Sequence, residues 1–235
     1  MKTSNKLLLG IFLMIITLVT TVQLVVYAKY KRGEYVQFQR ENYSSFTSYD
    51  IHAVRFISIT GMGNISIIPG DTSRLEVQKE EVAHLTYRVV NDTLIINGDT
   101  SLTKDDLDRG SRNHNRVYVI LPYTAQINAT YCSLYVGGAV DSAHAPSYNI
   151  HLEKGSSLGI LDRGSYKKDL YFNQMHIEGE GSTIELHEQT VVNGLHAKLI
   201  NSRIDDKEAV IRNLTIDADP TSAVTLTGKN IKALK

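Results

Sequence analysis

Apolar and polar residues alternate one by one through most of this chain from Ile51 onward, and hardly any stretch carries the recurrence of an amphipathic helix. Residues 54–59 lead through Gly61-Met62-Gly63-Asn64 into 65–68, which stop at Pro69-Gly70-Asp71. That order predicts a strand, a Gly/Asn turn, a second strand and a break. Short alternating runs follow at 75–77, 85–89 and 94–97, the last two joined through Asn91-Asp92. A polar loop over 99–115 carries mixed charge and no period, and its length allows mobility. Residues 116–121 form the next predicted strand, ended by Pro122.

After Pro122 a longer period appears, of about twenty residues. Ile127-Asn128-Ala129, Ile150-His151-Leu152, Met175-His176-Ile177, Leu195-His196-Ala197 and Leu214-Thr215-Ile216 each open a unit. Each unit then passes a polar turn to a second short run. Those runs are Leu134-Tyr135-Val136, Leu158-Gly159-Ile160, Ile184-Glu185-Leu186, Ile204-Asp205-Asp206 and Val224-Thr225-Leu226. A polar insertion at 162–169 delays the third unit. One unit buries only a few side chains, whereas stacked rungs about 4.8 Å apart bury them in one continuous column. The predicted fold class is therefore all-β, a parallel β-helix or β-solenoid with short strands and units of about twenty residues. The earlier strands and a polar tail at 229–235 are expected to cap it.

The N-terminus breaks this pattern. Lys2 and Lys6 precede an apolar stretch over 7–28, diluted only by Gly10, Thr17, Thr20, Thr21 and Gln23. About twenty such residues predict one N-terminal transmembrane helix. The end of the stretch, Val26-Tyr27-Ala28, also fits a signal segment cleaved after Ala28. Either way the remainder is exported, and the short basic N-terminus favours an inside-to-outside orientation. Residues 29–50 are polar and aromatic and read as a juxtamembrane linker. The expected organisation is a membrane anchor or signal segment at 1–28, a linker at 29–50, a β domain at 51–228 and the tail at 229–235.

Charge and cysteine content narrow the function. Lys plus Arg equals Asp plus Glu at 25 each, and a neutral chain lacks the basic footprint that nucleic acid requires. The single cysteine, Cys132, has no partner for an intramolecular disulfide and reads as a small, partly buried residue.

The strand order resembles a known family. The apolar N-terminus followed by Phe56-Ile57-Ser58-Ile59-Thr60-Gly61-Met62-Gly63-Asn64-Ile65-Ser66-Ile67 is similar to the autotransporter-adhesin head GIN-domain proteins of Bacteroidota-type bacteria. So are Leu94-Ile95-Ile96-Asn97, Val117-Tyr118-Val119-Ile120-Leu121-Pro122 and the Ser/Gly-broken repeats, so that the resemblance covers roughly 51–228. It implies an all-β solenoid on the cell envelope, with no established catalytic residues. The 162–169 insertion and the His-bearing rungs depart from it and map onto no family role.

Three constellations could carry chemistry. His151, His176 and His196 share one offset in three units, and an outward column of imidazoles could bind a divalent transition metal. The bland alternative is a solvated face on which Thr215 continues the column. Glu185 and Asp205 share another outward offset and could hold a cation, act as an acid/base pair on a polysaccharide, or stand as ordinary exposed acids. Tyr135, Tyr166 and Tyr171 could stack on sugars or peptides. Gly61-Met62-Gly63 lies between strands and lacks the dinucleotide-binding context, and the five Asn-X-Ser/Thr sequons read as turn and strand residues. The reading reached is a non-catalytic, membrane-anchored envelope protein, needing no cofactor, that binds an extracellular glycan or protein or acts as a scaffold. The alternatives are a polysaccharide-acting enzyme and a metal-responsive envelope protein.

Overall fold

The computed structural model describes residues 3–31, 46–51, 54–79, 82, 85–98, 117–122, 124–161 and 169–234. The chain forms two compact units, Met1–Ser44 and Ser45–Lys235.

In the first unit, α1 runs from Thr3–Lys31. Consecutive side chains from Ile11 to Ile16 are all exposed, so the helix buries no face. The hydroxyls of Thr17, Thr20 and Thr21 donate to carbonyls one turn back, which satisfies these polar groups within the helix. Among the described residues, however, no helix is long and apolar enough to cross a membrane. The expected transmembrane helix over 7–28 is corrected accordingly. Gly10, Thr17, Thr20, Thr21 and Gln23 dilute the apolar run that a span of about twenty residues requires.

The second unit is built of strands. These are β1 (Phe46–Asp50), β2 (Phe56–Thr60), β3 (Asn64–Pro69), β4 (Arg74–Gln78), β5 (Leu85–Val90) and β6 (Thr93–Gly98). Next come β7 (Val117–Leu121), β8 (Gln126–Thr130), β9 (Ser133–Val136), β10 (Tyr148–Glu153), β11 (Ser157–Ile160) and β12 (Leu170–Glu180). The series ends with β13 (Thr183–Glu185), β14 (Thr190–Ile200), β15 (Arg203–Asp205), β16 (Val210–Ile211), β17 (Leu214–Ala218) and β18 (Ala223–Thr225), followed by the short helix α2 (Gly228–Ile231). β1 lies inside the stretch read as linker, and all of α2 except Gly228 lies inside the tail.

Two nine-stranded sheets contain all of these strands. The first runs β1-β4-β7-β3-β9-β11-β13-β15-β18. The second runs β16-β14-β12-β10-β8-β2-β6-β5, with β17 also paired to β14. Pairing is parallel except at one end, where β1, β4 and β5 join antiparallel. Among the described residues, successive turns of chain give one strand to each sheet, and fourteen of the strands form seven tiers. In spatial order these are β6/β7, β2/β3, β8/β9, β10/β11, β12/β13, β14/β15 and β17/β18. The five expected units are the last five tiers. The earlier strands add two tiers of their own, with β2/β3 lying between β6/β7 and β8/β9.

Register aligns the apolar residues from tier to tier. Leu94, Ile57, Ile127, Ile150, Ile177, Ala197 and Ile216 pair in succession in the second sheet. Val117, Ile65, Leu134, Leu158, Ile184, Ile204 and Val224 do so in the first. All but the terminal members, Ile216 and Val224, are buried in one continuous core. Parallel sheets need both ends of each strand to return through a crossover, and here the opposite sheet supplies that return.

One corner of the stack is held by a ladder of small polar side chains. Cys132, Ser156, Ser182, Ser202 and Ser222 recur just after the first strand of successive tiers. The Ser182 N–H donates to Ser202 Oγ at 3.1 Å, the Ser202 N–H to Ser222 Oγ at 3.1 Å, and the Cys132 N–H to Ser156 Oγ at 3.4 Å. The residue before each of the first four ladder positions turns left-handed: Tyr131 (φ 51°), Gly155 (77°), Gly181 (61°) and Asn201 (49°). Gly and Asn tolerate that geometry readily, whereas Tyr131 bears its cost. Gly179 takes an inward position because a Cβ there would lie 2.6 Å from Ser182 Oγ.

Asp219 closes this ladder. Ser222 Oγ and the Asn201 N–H donate to its Oδ1 at 2.6 and 3.1 Å, and Thr221 Oγ1 donates to Oδ2 at 2.7 Å. Donation from Ser222, then from Thr221, holds its carboxyl down at about 2 against an ordinary 3.8. The folded state therefore binds this proton less readily than the unfolded chain. Its contribution to stability is complete above about pH 4 and is lost as pH falls toward 2. Asp219→Asn is expected to flatten that acid limb, measured as urea midpoints between pH 2 and 6; an unchanged slope would refute the assignment.

Candidate functional site

The outward face of the second sheet holds the described histidines singled out above. His176 and His196 pair directly in register, and their rings stack with centroids 4.7 Å apart and planes 9° apart. Thr215 follows in the same column, as expected. His151 is not in that column: Asn149 pairs with His176, and His151 pairs with Glu178. The cause is a two-residue slip, because Ile150 aligns with Ile177 rather than with Met175. Alternation at period two looks the same after such a slip, so the outward phase of His151 was legible and its column was not.

The displaced histidine gains acidic neighbours. His151 Nε2 lies 3.0 Å from Glu153 Oε1, and Nδ1 lies 3.3 Å from Glu178 Oε2. Glu178 Oε1 lies 3.7 Å from His176 Nε2. Two outward columns thus run side by side: Gln126, Asn149, His176, His196 and Thr215 in one, and Asn128, His151, Glu178, Lys198 and Asp217 in the other. Among the described residues, no group of three or more His, Cys, Asp or Glu side chains is placed to hold a metal ion. The expected single column of His151, His176 and His196 is corrected on that register to His176 and His196, with His151 one column aside.

Glu185 and Asp205 are in register on the first sheet, as the sequence predicted. They line an open groove of about 550 Å³ with Glu188, Glu208, Lys207 and Thr227. Lys207 Nζ lies 3.1 Å from Asp205 Oδ2 and 3.9 Å from Glu185 Oε1. The Lys207 backbone N–H, then its ammonium, hold the Asp205 carboxyl below the usual carboxylate range. Acid catalysis of glycoside cleavage requires a carboxyl that keeps its proton, so Asp205 is tuned in the opposite direction. Lys207 is the residue that the sequence reading missed; its position two residues past Asp205 was the available signal.

Cys132 is buried, and burial pushes its thiol up to about 12, which leaves no nucleophile at neutral pH. Tyr135 lies over Gly159, where a Cβ would meet its ring at 2.9 Å, and Tyr171 is half-buried. Tyr166 and the rest of 162–168 lie outside the described residues, as do the 99–115 loop and the sequon at Asn42. Asn128 points outward, and Asn213 Nδ2 donates to the Asn193 carbonyl at 3.0 Å.

No family model matches the chain, and no curated protein matches it. Solved structures include a "putative adhesin" from Bacteroides fragilis, 13% identical with a TM-score of 0.33, covering 77% of this chain and 91% of that one. Another is a "putative cell adhesion protein" from Clostridium sporogenes, 11% identical with a TM-score of 0.32, covering 77% of this chain and 97% of that one.

Proposed function

We propose that this is a non-catalytic binding protein of the cell envelope whose strand unit is a parallel β-solenoid of the adhesin-head type. The observation that carries the reading is the outward face of the second sheet. Five consecutive tiers there place hydrogen-bonding and ionisable side chains in two in-register columns, with each described histidine beside a carboxylate or another ring. Such a face offers many modest polar contacts spread over a wide area. An extracellular glycan or an extended protein surface suits it better than a small substrate requiring enclosure. Residues 7–28 act as the segment that engages the membrane during export, and mass spectrometry of the mature N-terminus tests whether cleavage follows Ala28.

The binding role is tested with a glycan and peptide array probed by the full chain. Retained ligands are expected to lose at least about tenfold in affinity in a His176→Ala/Glu178→Ala variant, the scale of about 1.4 kcal/mol. Binding that survives this change would move the site to another face. Release of shortened saccharides from the array would replace the binding role with a hydrolytic one.

A further inference from the structure

The slip that displaces His151 gives it a setting found at no other described histidine. Both of its ring nitrogens face carboxylates: Nε2 lies 3.0 Å from Glu153 Oε1 on its own strand, and Nδ1 lies 3.3 Å from Glu178 Oε2 on β12. An ionised carboxylate only accepts hydrogen bonds. A neutral imidazole donates from one nitrogen and presents a lone pair at the other. The neutral ring therefore satisfies one of these contacts and sets a lone pair against the second. The imidazolium alone donates to both, and both bonds are then charge-assisted. The side chains of His151, Glu153 and Glu178 are 34%, 37% and 45% exposed, so solvent reaches the cluster and protons can exchange.

The described charges around this ring are mostly negative. β8 offers it uncharged partners, Asn128 in register with His151 and Thr130 in register with Glu153. β12 brings Glu178 and, in register with Glu153, Glu180. Beyond it stand Lys198 on β14 and Asp217 on β17. Four carboxylates thus share this part of the face with one ammonium. The other two histidines are held differently. The rings of His176 and His196 stack on each other, and Glu178 Oε1 lies 3.7 Å from His176 Nε2, beyond hydrogen-bond reach.

We propose that His151 is a proton-operated clasp between β10 and β12. Protonated, it holds Glu153 and Glu178 together across the two tiers; on giving its proton to solvent it releases one of them. Imidazoles change charge between about pH 5 and 8, so the clasp closes on mild acidification and opens as the pH rises through that range. It spans the join that carries the 162–169 insertion, between the β10/β11 and β12/β13 tiers. The outward face of the second sheet thereby responds to pH in both charge and cohesion, independently of any ligand it binds.

The test uses the full chain in mild detergent. A double-mutant cycle of His151→Gln and Glu178→Gln is read by urea unfolding at about pH 5.5 and about pH 8.5, either side of the imidazole range. The two side chains are expected to couple at the lower pH, by at least about threefold in the unfolding equilibrium constant, and not at the higher. The sign follows from the geometry: the folded state gains the second contact with the proton, so the stabilisation is present at the lower pH and lost as the pH rises. In parallel, the His151 ring signal of histidine-labelled protein, assigned by its loss in His151→Gln, is followed by nuclear magnetic resonance. Glu153→Gln and Glu178→Gln are each expected to move its titration midpoint down by at least about 0.5 pH units. Asp217→Asn is expected to leave the midpoint in place. β17 lies three strands from β10, about 14 Å away, and at 0.15 M salt charges are screened within about 8 Å. Equal coupling at the two pH values, no coupling at either, a midpoint unmoved by both glutamine variants, or one moved as far by Asp217→Asn would each overturn the proposal.

Discussion

Asp206→Ala is expected to lower stability by about 3 kcal/mol, the largest loss for any single polar side chain in the strand unit. The residue stands one position past the Glu185–Asp205 pair, where Val136, Ile160 and Leu186 hold the preceding tiers with apolar side chains. It is 1% exposed. Burial pushes its carboxyl up, but donors surround it and together hold it below the usual range. Asn230 Nδ2 and the Thr227 N–H donate at 2.7 Å, Thr227 Oγ1 at 2.9 Å and the Glu208 N–H at 3.1 Å. Asn230 in turn donates to the Ala209 carbonyl and accepts from the Ile211 N–H, so this carboxylate fastens α2 to the last tiers. Removing it leaves buried donors unmatched, and the penalty for unmatched donors exceeds the value of the bonds themselves. In a domain of this size the loss corresponds to a fall in Tm of roughly 6–12 °C. Asp206→Leu separates two causes. Restoring the apolar column does not satisfy Asn230 and Thr227, so it is expected to remain destabilised by at least about 1.5 kcal/mol. A native-like Tm for Asp206→Leu would show that packing, not donor matching, governs this corner.

Ile177→Ala is expected to cost about 3 kcal/mol, within the range for emptying a buried aliphatic site. Ile177 is fully buried between Ile150 and Ala197, and the small Ala197 leaves few atoms able to collapse into the space. Because each tier touches only its neighbours, the damage is expected to stay local. Hydrogen exchange should accelerate most in β10, β12 and β14 and least in β6 and β7. Uniform acceleration throughout the strand unit would mean that it opens as a single cooperative block. Thr215→Ala, on the outward column two tiers away, should stay within about 0.5 kcal/mol.

Much of this architecture is written in the alternation. Inward and outward phases, the all-β class, and the pairing of Glu185 with Asp205 follow from period two combined with a repeat of about twenty residues. Alignment between tiers is legible only where spacing is constant. From Met175 to Leu226 it is, and there His176, His196 and Thr215 fall where the repeat puts them. Between Ile150 and Ile177 the insertion lengthens the interval, and the two-residue slip that moves His151 beside Glu178 leaves every side chain on its proper face. The two early tiers were read as caps because they are interrupted by hairpin strands and by 99–115, so no fixed period connects them. The cap residues Asp206 and Asn230 were hidden for a different reason: a polar residue in an apolar column looks like the end of a strand until its partners are known.

The interleaving of β2/β3 between β6/β7 and β8/β9 bears on how such a chain can change length. In the later half, each tier follows its predecessor in sequence and in space, so a segment of about twenty residues can be gained or lost as a unit with both neighbours remaining adjacent. In the earlier half, β2/β3 lies between β6/β7 and β8/β9, which follow one another in the chain, so deleting it would leave a connection that spans an intervening tier to bridge two adjacent ones. Length variation among descendants of this sequence should therefore accumulate after Pro122, with the segment before it kept at a fixed count of strands.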